Sequence, residues 1–234
     1  MRWVMYLRLN DLHGSNLKNA LDSIRGDETS LDLNNNDLNY RSVEELTKIV
    51  KAFPISLKTL NLSSNYLRGV HISVLKESFS FSTCSLNTLD LSINKLGFMK
   101  ATELKDFLSA FNPLTELNLA WNDLNNLKEN LSLSLSLLSF QKINLRGNNL
   151  HTLSKDALIQ IFTALPRDLQ FMDLRDNELE TKYNATALAE ILSHLPTNTE
   201  IILNSTSHSS TFFKAATKPE DSQTTSSYGL SISQ

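Results

Sequence analysis

One eleven-residue pattern recurs seven times along this 234-residue chain, and it limits the possible folds more than any other feature. The copies are RWVMYLRLNDL from Arg2, ETSLDLNNNDL from Glu28, LKTLNLSSNYL from Leu57, LNTLDLSINKL from Leu86, LTELNLAWNDL from Leu114, FQKINLRGNNL from Phe140 and LQFMDLRDNEL from Leu169. Each approximates L-x-x-L-x-L-x-x-N-x-L. The marker asparagines are Asn10, Asn36, Asn65, Asn94, Asn122, Asn148 and Asn177, spaced by 26, 29, 29, 28, 26 and 29 residues. Self-similarity at such a period means a solenoid, because one unit cannot bury its apolar face without neighbours.

Each part of the pattern has a physical reading. Alternate residues of a strand face opposite sides, so Leu60 and Leu62 are expected to point into the core and Thr59, Asn61 and Ser63 to face solvent. The asparagine three residues after the second strand leucine stands where the chain turns away. Buried there, its amide can donate to and accept from backbone groups of adjacent coils that have no regular ladder. The seven asparagines therefore read as a structural spine and not as a reactive site.

The rest of each repeat has helical spacing. Ser42-Val43-Glu44-Glu45 has the spacing of a capping box and precedes Leu46, Ile49, Val50 and Phe53, with Pro54 as the stop. Ala101 to Phe111 repeats the scheme ahead of Pro113. Ser154 caps a helix carrying Leu158, Ile161, Phe162 and Leu165, and Asn184 caps one carrying Leu188, Ile191, Leu192 and Leu195. Leu127, Leu131, Leu135 and Leu138 also keep helical spacing, although their alternation with serine suits a strand equally well. Repeat phase favours a helix there, since Lys142 to Arg146 already fill the strand slot.

These motifs resemble the leucine-rich-repeat family, in its long-repeat, ribonuclease-inhibitor-like subclass, over about residues 2 to 210. The resemblance implies an α/β horseshoe solenoid with a parallel β-sheet on the concave face and α-helices on the convex face. Residues 1–213 are expected to form the repeat domain, with seven clear repeats and a degenerate eighth. In that last copy Ile202 and Asn204 are expected to point inward, Ser207 replaces the marker, and Phe212 and Phe213 cover the open leucines. At the other end Met5 and Leu7 point inward and Trp3 shields the edge. Residues 214–234 are rich in Ser and Thr without periodicity and are expected to be disordered.

Composition removes several function classes. With 22 Lys and Arg against 25 Asp and Glu, no basic excess exists to displace counterions from nucleic acid. The single cysteine, Cys84, permits no internal disulfide and no Cys-rich zinc site, and no activating base accompanies it. No apolar run approaches the roughly 20 residues of a membrane helix, and charge interrupts the N-terminal apolar run before a Sec signal core forms. The expectation is a chain made in the cytoplasm, without membrane insertion, whose N-x-[ST] tripeptides at Asn61, Asn130, Asn184 and Asn204 are coincidental. His13, His71, His151, His194 and His208 lack metal-ligand spacing, and the six glycines form no phosphate loop. Thus no catalytic residue, metal, cofactor or small-molecule substrate is expected. Ubiquitin-ligase, GTPase-activating and ribonuclease-inhibiting relatives carry a catalytic cysteine domain, a strongly acidic tail or many cysteines, and this chain has none of these.

What remains is a concave face suited to a protein partner. Repeat phase aligns Asp90, Asn118, Asn144 and Asp173 in one outward column, with Leu203 after them, and Ala120, Arg146 and Arg175 in the next, followed by Ser205. Phe171 and Ile201 belong to the column before. Trp121 follows Ala120 at the strand exit and either offers its ring to a partner or folds back against the rim. Exposed Trp, Phe and Arg are the types enriched at binding hot spots. Eight strands at about 4.8 Å give a face on the order of 35 Å wide, which fits an interface of about 800 Å² per partner. The chain also resembles the small leucine-rich-repeat effectors that intracellular bacterial pathogens deliver into host cells. That resemblance implies a module that binds a host protein after translocation, and the chain is expected to be a monomer. The alternative is a cytosolic adaptor or regulator of GTPase or ubiquitin machinery in its own cell.

Overall fold

The leucine pairs of successive repeats stack as strands of one sheet in the computed structural model, which describes residues 4–69, 86–111, 113–204 and 211–214. In chain order these are β1 (Met5–Tyr6), β2 (Ser30–Asp32), β3 (Thr59–Asn61), β4 (Thr88–Asp90), β5 (Glu116–Asn118), β6 (Lys142–Asn144), β7 (Phe171–Asp173), β8 (Glu200–Leu203) and β9 (Thr211–Lys214). β1 to β8 run parallel, with Leu31 beside Leu60, Leu60 beside Leu89 and Leu89 beside Leu117. Strands of three residues do not persist alone, so stacking is what holds them. Leu60 and Leu62 are buried while Thr59, Asn61 and Ser63 are half-exposed, as strand alternation requires.

Behind the sheet each described return path packs an apolar helix face on the strand leucines. Helix Val43–Lys51 starts at Ser42, whose Oγ accepts the Glu45 N–H at 3.2 Å, and buries Leu46, Ile49 and Val50. Helix Ala101–Ser109 buries Leu104, Phe107 and Leu108. Helix Lys155–Thr163 begins at Ser154, whose Oγ accepts the Ala157 N–H at 3.1 Å. Helix Ala185–Leu192 begins at Asn184, whose Oδ1 accepts the Ala187 N–H at 2.9 Å. Each cap satisfies one of the orphan donors of a helix start.

The two coils with 26-residue spacing absorb their shortfall differently. Coil one enters helix Gly14–Asp22 directly, four residues after its marker. Coil five keeps a long turn, Leu124–Asn130, and its helix shrinks to Leu131–Leu135. The helix expected from Leu127 to Leu138 is therefore broken, because Lys128 leaves helical space at φ 53° and ψ −137°. Leu137 ends up 85% exposed with φ +66°.

The eighth strand sits one residue out of the expected register. Ile201 pairs with Met172 and Ile202 with Asp173, so Ile201 and Leu203 point inward, and not Ile202 and Asn204. The outward positions are accordingly Glu200, Ile202 and Asn204, replacing Ile201, Leu203 and Ser205. The expected register would have turned Glu200 toward the core, and a one-residue slip exchanges the two faces of a strand. The backbone of β9 then pairs antiparallel with β8, placing Phe212 opposite Ile202. A returning strand, and not ring packing alone, thus covers the last parallel edge. Trp3, Cys84, His71, His208, Ser207, the rings of Phe212 and Phe213, and residues 215–234 lie outside the described residues.

Candidate protein-binding surface

The geometry of the candidate surface begins with the marker asparagines. Nδ2 of Asn122 donates to the carbonyls of Leu91, Leu119 and Ala120 at 3.0, 3.0 and 3.2 Å. Its Oδ1 accepts the N–H groups of Asn94 and Leu96 at 2.9 and 3.2 Å. Asn65, Asn94, Asn148 and Asn177 repeat this scheme, each bridging its own turn and the turn before it. Asn36 keeps a reduced version, donating to Leu7 O and accepting from Leu9 N–H. Asn10 departs from the spine: it is half-buried and donates to Asp37 Oδ2 at 3.1 Å, with no coil before it among the described residues. The buried Arg41 guanidinium instead holds the Leu9 and Leu12 carbonyls, a role that nothing in the repeat pattern signals.

Both neighbours of each marker from Asn36 to Asn177 adopt left-handed backbone, with φ between +49° and +65°. The buried asparagine is thereby flanked by two residues turned out onto the edge of the sheet, of which only Gly147 lacks a side chain. Non-glycine residues enter this region at a cost of about 1–2 kcal/mol each, and the amide ladder between them offsets it.

On the concave face, the outward Asp/Asn column closes its own turns. Asp32, Asn61, Asp90, Asn118, Asn144 and Asp173 each accept the N–H two residues ahead, at 2.8 to 3.0 Å. Asn118 Nδ2 also donates to Asp90 Oδ2 at 2.9 Å. One oxygen of every member is therefore committed to its own coil, and Asp173, expected to face outward, is buried with its second oxygen taken by Arg175.

Trp121 joins the next coil. Its ring lies over Gly147, where an added Cβ would come within 2.4 Å of Cδ2 and Cε3, yet the residue stays 48% exposed. Both readings of this side chain thus hold in part: it folds on the rim and still presents a face. The Arg146 guanidinium sits 5.9 Å from the indole centroid, and its Nε donates to Asp176. One coil further, Arg175 Nε and Nη2 donate to Asp173 at 3.0 and 2.6 Å. The hydrogen bond to Asp173 raises the Arg175 pKa above its already high value, although burial opposes it. Phe171 is half-buried two residues before Asp173 on the same face. Asp176 and Gly147 were not picked out from sequence, though Gly147 is the one glycine in the slot before a marker.

A direct consequence concerns Gly147. Because its φ is +65° and the indole occupies the space of a Cβ, Gly147→Ala is expected to displace Trp121 from the Arg146 stack. The expected result is a loss of about 1–2 kcal/mol in urea melts and a changed near-ultraviolet circular dichroism band.

No helix among the described residues is long and apolar enough to cross a membrane. Among the same residues no group of three or more His, Cys, Asp or Glu is placed to hold a metal ion.

Comparison with known proteins agrees with the coil geometry. The Leucine Rich Repeat family model matches residues 56–78. The chain is 41% identical over 69 residues to human NACHT, LRR and PYD domains-containing protein 12, which covers 30% of this chain and 6% of that protein. The leucine-rich repeat-containing protein LegL7 from Legionella pneumophila superposes with a TM-score of 0.72 at 33% identity, over 84% of this chain and 63% of that one. The chain therefore spans less than two thirds of LegL7 and a small part of the human protein. Seven in-phase repeats, eight parallel strands in stacked coils and these likenesses lead to one conclusion: this is a leucine-rich-repeat protein by its fold, in the long-repeat form with a strand and a helix per coil.

Proposed function

We propose that this protein is a non-catalytic interaction module that binds a protein partner through its concave sheet, as a bacterial effector acting on a host protein. The observation that carries the binding reading is the Trp121–Arg146–Asp176 stack beside the Arg175–Asp173 pair. A half-exposed indole and two guanidinium groups already held by carboxylates lose little side-chain freedom on binding. Phe171 adds apolar surface, and the outward atoms of Asp90, Asn118 and Asn144 provide a polar floor. The effector reading is supported by the likeness to the Legionella pneumophila protein, which spans 84% of the chain, against 69 residues for the human one. That difference in extent favours it over an adaptor working in its own cell.

The test is a quantitative pull-down from host-cell lysate, comparing wild type with a Trp121→Ala, Arg146→Gln, Phe171→Ala variant. Arg175 is left in place because it neutralises Asp173, which is only 4% exposed. A protein recovered by wild type and depleted about tenfold or more by the variant is the expected outcome. Identical recovery by both proteins would count against the concave site.

A further inference from the structure

The edge where strands turn toward the helices is uneven in its chemistry. It is made by the residues one before, one after and three after each marker. Among the 18 such positions in coils two to seven, Arg68 and Lys95 are the only lysine or arginine, in coils three and four. The same slots elsewhere carry Asp37, Asp123, Asp176, Glu178 and Glu180. The basic pair coincides with the apolar positions of the edge: Tyr66, Ile93 and Trp121 are 48 to 49% exposed, and Phe98, one residue beyond the Gly97 slot, is 52% exposed.

The cations and rings are interleaved. The Arg68 guanidinium lies 4.8 Å from the Phe98 centroid and Lys95 Nζ lies 5.9 Å from that of Tyr66, each pair bridging two coils. Both cations are exposed, and neither takes part in an ion pair among the described residues. Ile93 holds a left-handed φ of +58° and yet leaves half its surface in water. A β-branched residue in that conformation is costly, and here the cost brings little burial.

We propose that this edge of coils three and four is a second docking surface, separate from the concave floor, for an acidic segment of a partner protein that also carries aromatic or branched aliphatic side chains. Carboxylates of the segment meet Arg68 and Lys95, which are already oriented on their rings, and its apolar side chains cover the half-exposed Ile93, Tyr66 and Phe98. Charge complementarity selects the occupant: Arg68 and Lys95 are the basic positions of the edge, and the acidic positions in coils two, five and seven repel such a segment from the rest of it.

The experiment is selection of a displayed random-peptide library on the full chain, followed by anisotropy titration of the labelled enriched peptides. The expected result is peptides rich in Asp and Glu next to Phe, Tyr, Leu or Ile. Their affinity should fall about tenfold in both Arg68→Glu/Lys95→Glu and Arg68→Ala/Lys95→Ala, and less than about twofold in the concave-floor variant Lys142→Glu/Phe171→Ala. Raising the salt should weaken them, as expected for exposed charges. Peptides that are not acidic, or that bind the double variants undiminished, overturn the proposal. So do peptides lost only in the concave-floor variant, a result that would leave the concave reading intact. Labelled oligodeoxythymidine released by charge reversal would assign the edge to nucleic acid instead. Self-association in the ultracentrifuge abolished by charge reversal would assign it to a second copy of the chain.

Discussion

Replacing Asn122 by leucine is expected to destabilise the protein by about 3–5 kcal/mol, read as a lower urea midpoint with an unchanged slope. The side chains are similar in volume, so packing alone predicts a mild effect. Hydrogen bonding predicts a large one. Three carbonyls and two N–H groups use the Asn122 amide. The Leu91, Leu119 and Ala120 carbonyls would keep Asn94 Nδ2, Asn148 Nδ2 and the Ile93 N–H, whereas the Asn94 and Leu96 N–H groups would stay buried without an acceptor. Each buried unsatisfied group costs about 1–3 kcal/mol, reduced where the turn can relax toward water. The chain supplies its own control. Asn10 occupies the same motif position but is half-buried and makes one side-chain bond, to Asp37. Asn10→Leu should therefore cost less than about 1 kcal/mol. Equal losses at the two positions would show that the amide ladder does not hold the coils together.

The second large effect is expected at Gly97. A Cβ built there would stand 1.9 Å from Asp123 O and 2.5 Å from its carbonyl carbon. The neighbour is backbone and cannot rotate aside. It is also anchored, since the Gly97 N–H donates to Asn122 O at 2.9 Å. Gly97→Ala must either push coils four and five apart or break that bond, and it is expected to cost about 2–4 kcal/mol in thermal or urea melts. The equivalent positions in the neighbouring coils carry Arg68 and Asn125, so the requirement belongs to this one junction and not to the repeat. A neutral Gly97→Ala would mean that the solenoid opens at this junction at little cost.

Much of the architecture was legible because it rests on local or periodic properties. The inward leucines follow from strand alternation. The caps at Ser42, Ser154 and Asn184 follow from a short polar side chain one step before an apolar helical run. Coil five was harder. Its Leu-Ser alternation fits two periods, and repeat phase identified a helix without indicating that Lys128 would break it. In the last coil, Ile201, Ile202 and Leu203 are all apolar, so hydrophobicity alone does not choose the inward pair. The step of 29 residues from Ile143 to Met172, repeated from Met172 to Ile201, resolves that choice.

The sequence by itself determined which residues share a column, since residues 26 to 29 apart occupy equivalent places in successive coils. It therefore established the leucine-rich-repeat solenoid, its sheet and most of its spine. Only the tertiary structure decided how near those equivalent residues come and which way they turn. It seated the Trp121 ring on Gly147, tied Arg146 to Asp176 and Arg175 to Asp173, gave Arg41 the carbonyls of coil one, and left Gly97 no room for a side chain. The physical reason is that a repeat period specifies order along the stack, whereas contact between coils depends on backbone separation and rotamer, which neighbouring coils set together.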